Sequence, residues 1–418
     1  MKKILFLMAF VLASAVTYAG GYRVSVQGQR ALAMGHTGVA VVNSAELGFF
    51  NPAGLVYLEN RLTVSAGVSA VFSDVAWQNE EFGEIARTDN PAGTPFYFYA
   101  SYKATDWLSV GLSVYTPYGS TVKWEDDWAG SHLVNNIELQ AIYIQPLASV
   151  KISEQLSIGG GPIFVTGAVN FNRNLNRTLT DIDGNRANVT IDASGVNEWG
   201  WSVGAMYTPW EDFRLGINYR SEIIMNAEGG DADFENIPNS PLAPFSDTTF
   251  DASLPLPAEL TVGASYQMNE KWLFAFDFNR NFWGVYESLD IQFGNGVVSE
   301  NPRQYEDSNI WRFGAEYAAT DKFVLRAGYY YDESPVQEGY FAPETPRNDS
   351  MGFTAGLSLN VTSNLAIDAS FAYIRFSEVD ASYNYYTEEV NGQDVSVPFG
   401  GSYKSSAFIP GLGVTYKL

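Results

Sequence analysis

Few residues in this sequence are suited to covalent chemistry. Histidine occurs twice, at His36 and His132, and cysteine does not occur. A hydrolytic site needs a base beside a nucleophile or carboxylate. His36 falls in a glycine-rich N-terminal stretch and His132 in an expected loop, and neither sits on a strand rim beside such a partner. The acidic clusters "NEEFGE" and "WEDDW" also fall in expected loops. They are read as a solvated rim, with contact to divalent cations or lipopolysaccharide as the alternative. No enzyme, cofactor or metal site is expected. The net charge of −23, or −25 once Lys2 and Lys3 are removed, excludes nucleic acid as a partner, because phosphate contacts need a basic face.

The elements that position the rest begin after an export signal. Lys2 and Lys3 precede an apolar run from Ile4 to Val16, and Thr17-Tyr18-Ala19 offers a cleavage site before Gly20. The run is too short to span a bilayer, and no later window is long and apolar enough for a membrane helix. A closed β-barrel is the other structure that satisfies every backbone group in lipid. The composition suits one: aromatic residues reach 15% and charged residues only 17%, against about 25% in an average soluble domain.

Period-two alternation is clearest near the C-terminus. Phe353, Ala355, Leu357, Leu359 and Val361 share one face, and Leu365, Ile367, Ala369, Phe371 and Tyr373 repeat the pattern. Between strands, tight connections such as "KATDW", "KISEQL" and "AATDKF" alternate strictly with long ones at 78–93, 119–134, 174–195, 227–252, 293–303, 333–347 and 379–402. Six tight turns and seven long loops make fourteen strands over residues 61–418. That is the pattern of an all-β, transmembrane antiparallel β-barrel of the outer membrane, with short periplasmic turns and long external loops. The final "GLGVTYKL" alternates Leu412, Val414, Tyr416 and Leu418, and resembles the signal read by barrel assembly machinery, with Leu418 where an aromatic is usual.

An even strand number leaves both barrel ends on the periplasmic side, so residues 20–60 have the lumen to occupy. The stretch "LGFFNPAGLVYLEN", Leu47 to Asn60, reads as the end of a small hatch. Its Asn51-Pro52-Ala53 turn redirects the chain into the first strand. A barrel of this width is not filled by its own side chains, so a plug is expected. In the fifth strand Ile163, Val165, Val169 and Phe171 share one face, while Ile158, Pro162, Phe164 and Ala168 share the other. A hydrophilic porin keeps its inner face polar; apolar residues on both faces suit either a lumen lined for hydrophobic ligands or packing against the hatch.

These stretches resemble the FadL/TodX family of outer-membrane transporters for long-chain fatty acids and other hydrophobic compounds. The resemblance rests on "GGYRVSVQGQRALAMGHTGVA" followed by "NPAGL", on "VYTPYGSTVKW", on "WGWSVGAMYTPWEDFRLGINYRSEI" and "LPLPAELTVGASY", and on "WRFGAEYAATDKFVLRAGYYYDESPV", all in order. It implies capture of ligand by external loops, binding in the lumen beside the hatch N-terminus, and sideways exit at a kink in the third strand, without an energy-coupling partner. The kink maps to Pro117 and Gly119, where the residue types favour a bulge; a plain loop start at Gly119 is the alternative. The exit gap is expected beside the fourth strand. Arg173 matches a family position that contacts ligand head groups, Tyr22 matches the aromatic that reaches the lumen site, and Phe171 lies two residues before Arg173. A second basic position of the family falls on Glu306, leaving Arg303 as its substitute or the ligand neutral. Loop-stem and hatch-packing roles remain the alternatives for Arg173 and Tyr22. Trp107, Trp210, Trp272 and Phe323 read as an interface girdle. A monomer embedded in outer-membrane lipid is expected, with a general diffusion porin as the competing function.

Overall fold

The computed structural model describes residues 22–79, 83–239, 245–390 and 392–418, so the expected signal at 1–19 lies outside the described residues. Fourteen antiparallel staves close on themselves. They are β1 (Leu62–Ser69, continued by Phe72–Asn79), β2 (Phe96–Lys103), β3 (Leu108–Lys123), β4 (Asn136–Lys151), β5 (Leu156–Asn174), β6 (Asn188–Trp210) and β7 (Phe213–Arg220, continued by Ile223–Glu235). Then come β8 (Thr248–Leu256, continued by Glu259–Gln267), β9 (Trp272–Asn281), β10 (Ser308–Ala318), β11 (Phe323–Asp332), β12 (Ser350–Asn360), β13 (Leu365–Phe376) and β14 (Phe399–Lys417). The seam is the β1–β14 ladder, in register from Thr63↔Lys417 to Ser69↔Gly411. Closure leaves no free edge, which a bilayer requires.

Alternation puts Val110, Leu112, Leu325, Phe353 and Val414 outward, all well exposed on the isolated chain, and Ser65, Ser113, Ser149 and Thr415 inward and buried. Trp107 and Trp210, at tight turns, are 55% and 66% exposed, as befits a girdle at the membrane interface. Among the described residues, no helix is long and apolar enough to cross a membrane.

The small inward side chains make room for Tyr22 to Leu58, which are almost entirely buried inside the barrel. This segment holds two short helices, Gln29–Ala33 and Leu47–Phe50, and a 3-10 helix, Pro52–Tyr57. It approaches the wall backbone to backbone: Gly35, at φ +70°, lies so close to Gly328 of β11 that a Cβ there would collide with it. Gly35 N–H donates to Thr354 Oγ1 at 2.8 Å, and Ser265 Oγ donates to the Ala40 carbonyl at 2.7 Å.

Several expected boundaries move, among them the 174–195 connection, which carries strand from Asn188, and the one expected to start at 293, since β9 ends at Asn281. The loop expected to start at 119 gives way to strand, because β3 continues to Lys123, and the 227–252 connection carries strand as far as Glu235 and again from Thr248. Cross-strand pairing above the membrane extends these staves where composition alone suggests loop. The connection at 333–347 is not simply external: Ser334, Val336, Phe341, Ala342 and Glu344 are buried.

Candidate functional site

The upper lumen contains an apolar cavity of about 120 Å³. Its walls come from the inner faces of β4 to β8, chiefly Ile137, Val169, Ile191, Met225 and Leu254, with Phe171 among them. The β5–β6 ladder shifts register between Gly167 and Ala168, opposite Gly195 at φ +68°. Above that bulge the odd-numbered residues Val169, Phe171 and Arg173 of β5 reach the cavity. The floor is Tyr22, whose hydroxyl donates to the Pro255 carbonyl and whose ring meets Trp283 edge-on at 5.1 Å.

The polar groups gather at one end, where Arg173, Asn301, Arg303, Glu344 and Tyr383 line the same cavity. Arg303 is paired with Glu344 and lies 5.5 Å over the Tyr383 ring. Arg173 donates to Ser299 Oγ at 3.1 Å and, among the described residues, has no carboxylate within ion-pair distance. The cavity therefore carries one neutralised and one uncompensated guanidinium. All four sequence-derived ligand candidates, Tyr22, Phe171, Arg173 and Arg303, border this one space. Glu306 does not; it is exposed, and its N–H bonds the Pro335 carbonyl.

Glu344 was not singled out from sequence, nor was the inward loop that carries it. The only hint is the Pro-flanked acid in "APETP". Also missed is a buried ionic set below the cavity. Arg23 Nε donates to Glu259 Oε1 at 2.8 Å, and Arg220 stands 3.5 Å from the same carboxylate and 4.3 Å over the Phe49 ring. A glutamate opening an otherwise apolar strand, "LPAELTV", is the signal that points to it.

The third strand carries an irregularity at Thr116 and Pro117. The β3–β4 ladder shifts register between Tyr115 and Tyr118, taking in Thr116 and Pro117, whose nitrogen has no proton to donate. The extra residue reverses the face, so that both Tyr115 and Tyr118 point inward and are buried. Gly119 sits where the ladder has resumed, opposite Gln140. The gap is therefore not beside the fourth strand, with which β3 pairs on both sides of the bulge. It faces β2, whose pairing with β3 ends at Tyr97↔Tyr115.

The N-terminal segment covers part of that freed edge. Val24 N–H donates to the Pro117 carbonyl at 2.8 Å, and Gly119 N–H donates to the Tyr22 carbonyl at 3.0 Å. Higher up, Asp89 N–H bonds the Lys123 carbonyl at 2.8 Å. Between these bridges lies a second cavity, of about 470 Å³. It is bordered by Tyr330, Asp332 and Arg347 on the lumen side and reaches the exposed Asp74 and Glu138 at the wall.

Asn51, Pro52 and Ala53 anchor the other end of the segment. Asn51 Nδ2 donates to the carbonyls of Val39 at 2.9 Å and Ala205 at 3.0 Å, and its Oδ1 accepts from Ala53 N–H at 3.2 Å. The Ala53 carbonyl accepts from Ser149 and Ser157 of the wall. The two histidines are packing groups. His36 lies against Phe50 at 4.8 Å, and His132 lies against Tyr386 at 4.6 Å. Burial first, then Arg177 and Arg173, pushes His132 down to about 3, so it is neutral at physiological pH.

A closed barrel with its N-terminal segment buried in the lumen, an apolar luminal cavity and a second cavity at its wall is the architecture of a channel-type transport protein of the outer membrane. The family described as "Outer membrane protein transport protein (OMPP1/FadL/TodX)" matches residues 10–418, and the chain belongs to it. The long-chain fatty acid transport protein of Escherichia coli K12 is 21% identical, over 92% of this chain and 94% of that one. Among solved structures, a Pseudomonas aeruginosa FadL homologue superposes with a TM-score of 0.81 at 17% identity, covering 95% of this chain and 100% of that one. The Pseudomonas putida toluene transporter TodX superposes with a TM-score of 0.73 at 18% identity, covering 94% and 98%.

Proposed function

We propose that this protein takes up acid-headed hydrophobic molecules, long-chain fatty acids or similar amphiphiles, by passive diffusion. Capture occurs among the external loops, binding occurs in the apolar cavity, and exit runs sideways through the wall between β2 and β3. Related proteins are named for fatty acid and for toluene, so family membership leaves the head group open. The observation that carries the reading is Arg173: an uncompensated guanidinium at one end of an otherwise greasy cavity. A buried cation is costly without an anionic partner, and a carboxylate supplies one. A hydrocarbon tail gains about 0.8 kcal/mol per CH₂ on leaving water, so a lipid-facing exit is favoured over an aqueous one. The filled lumen disfavours a general diffusion porin.

Two measurements test this. Arg173→Gln is expected to weaken palmitate binding by about tenfold, the scale of one hydrogen bond to a charged group, while hexadecanol binding changes little. For the exit, cysteines replace Thr94 and Thr121, which both line the wall cavity, in a chain with no native cysteine. Joining them with a reductant-cleavable crosslinker is expected to stop uptake but not binding, and cleavage to restore uptake. Uptake that persists through a complete crosslink would place the exit elsewhere.

A further inference from the structure

The two cavities share Ser120, Leu139 and Gln140 of β3 and β4 as a common wall, and consecutive residues of the inward loop border one and then the other. Glu344 and Thr345 border the apolar cavity, while Pro346 and Arg347 border the one at the wall. Each cavity has two arginines, and in each case one is neutralised and one is not. Arg303 is paired with Glu344, while Arg173 has no carboxylate within ion-pair distance among the described residues. In the wall cavity Arg23 is paired with Glu259, whereas Arg347 has no carboxylate within ion-pair distance among the described residues. Arg347 donates one bond, from Nη1 to the Arg23 carbonyl at 2.7 Å, which leaves most of its guanidinium donors for another acceptor.

We propose that Arg347 is a second head-group station: it receives the carboxylate of an amphiphile leaving Arg173, before the tail enters the membrane between β2 and β3. This rests on the uptake reading above and adds a residue and a substrate preference to it. Without such a station, a carboxylate leaving Arg173 crosses the lumen with no counter-charge, and the lost bond adds to the barrier. Asp332 faces the same cavity with a buried Oδ1 that has no hydrogen-bond partner, and Asp74 and Glu138 lie toward its outer side. Those three acids oppose a resting anion, so the station holds the head group briefly and does not trap it. The alternative role for Arg347 is purely structural, as a pin on the Arg23 carbonyl.

The experiment compares uptake of palmitate and hexadecanol with equilibrium binding of palmitate, in wild type, Arg347→Gln and Arg347→Lys. Arg347→Gln is expected to bind palmitate within about twofold of wild type but to transport it at least about fivefold more slowly, the scale of one charge-assisted hydrogen bond. Hexadecanol uptake is expected to stay unchanged, and Arg347→Lys to restore most of the palmitate rate. Equal loss for acid and alcohol would show a structural pin and overturn the inference, as would an undiminished palmitate rate. If wild type fails to bind palmitate, or Arg173→Gln binds it normally, the binding reading falls separately. A wild type that moves neither compound overturns both.

Discussion

Two segments fill the same lumen by different chemistry. The N-terminal segment, Tyr22 to Leu58, is fixed to the wall by carboxylates. Asp277 of β9 accepts from the N–H groups of Gly38 at 2.8 Å and Val39 at 3.1 Å, Asp368 of β13 pairs with Arg30 at 3.0 Å, and Glu259 of β8 pairs with Arg23 at 2.8 Å. The inward loop at 333–349 meets the wall at its two ends through Glu333, which accepts from Asn309, and Asp349, which accepts from the Tyr331 hydroxyl, and between them through its own carbonyls. Trp124 Nε1 donates to Pro343 O at 3.1 Å and Ser405 Oγ to Pro346 O at 3.2 Å. Its buried ion pair, Glu344 with Arg303, joins it to another loop. Buried ionic anchors are expensive to break and neutral ones cheap. The difference makes the N-terminal segment the more firmly anchored of the two, and so the expected stopper, and the loop the softer piece between the cavities.

The largest expected effect comes from removing the stopper. Deleting residues 20–50 is expected to leave an assembled barrel, since the wall satisfies its own hydrogen bonds, but one that conducts ions freely in a planar bilayer. An assembled and electrically silent deletion would assign closure to the loops and reverse the comparison.

Next comes a single anchor. Asp368→Ala strands the Arg30 guanidinium in a buried site, and losing one partner of a buried pair costs about 3–5 kcal/mol. Hydrogen exchange at the amides of Leu32 and His36, which bond within the segment, is expected to accelerate accordingly. Exchange unchanged by the substitution would show that the ion pair does not hold the segment.

The contrast extends to what sequence reveals. The barrel was legible because loop lengths alternate by parity and because period-two runs such as Phe353 to Val361 are long. The N-terminal turn was legible because Asn51-Pro52 is a local signal, whose Asn side chain bonds the nearby Ala53 N–H. The inward loop was not. "FAPETPRNDS" has the Pro and polar content of an external loop, and its burial depends on Trp124, Arg303 and Ser405, all distant in sequence. Arg173 was reached through the resemblance and through its place after an apolar strand. That it has no carboxylate within ion-pair distance among the described residues is a three-dimensional fact. The bulge at Thr116–Pro117 was legible, but which neighbour it parts from was not, because strand ends at Phe96 are set by pairing.

A pH profile sharpens the comparison further. Glu46 accepts from the N–H groups of Arg30 at 3.2 Å and Ala31 at 3.0 Å. Burial, with Asp368 nearby, raises its carboxyl from the usual 4.5 to about 7. The seated segment thus holds a proton more tightly than the withdrawn one. Its seating is strongest below 4.5, weakens as pH rises to about 7, and is flat above. The total weakening is about 3 kcal/mol. Ion leak or hydrogen exchange should rise across that window, and Glu46→Gln should flatten the slope. A slope that persists in Glu46→Gln would assign the titration to another group.

The smallest effect probes the loop. Trp124→Phe keeps an aromatic ring beside Trp128, 4.1 Å away in the native stack, but trims the buried indole and removes the donor to the Pro343 carbonyl. Leaving a buried carbonyl unpaired costs about 1–3 kcal/mol, and that carbonyl belongs to the loop between the cavities. The expected outcome is a modest change in palmitate uptake, with palmitate binding and ion tightness as in wild type. The direction of the uptake change is informative. Faster uptake means that the loop gates passage between the cavities, and slower uptake means that its fixed shape guides the head group from Arg173 toward Arg347. Either result keeps the stopper and the divider as separate devices. An ion leak from this substitution would not, because it would mean that the loop shares the work of closing the lumen and that the firm and soft segments act as one.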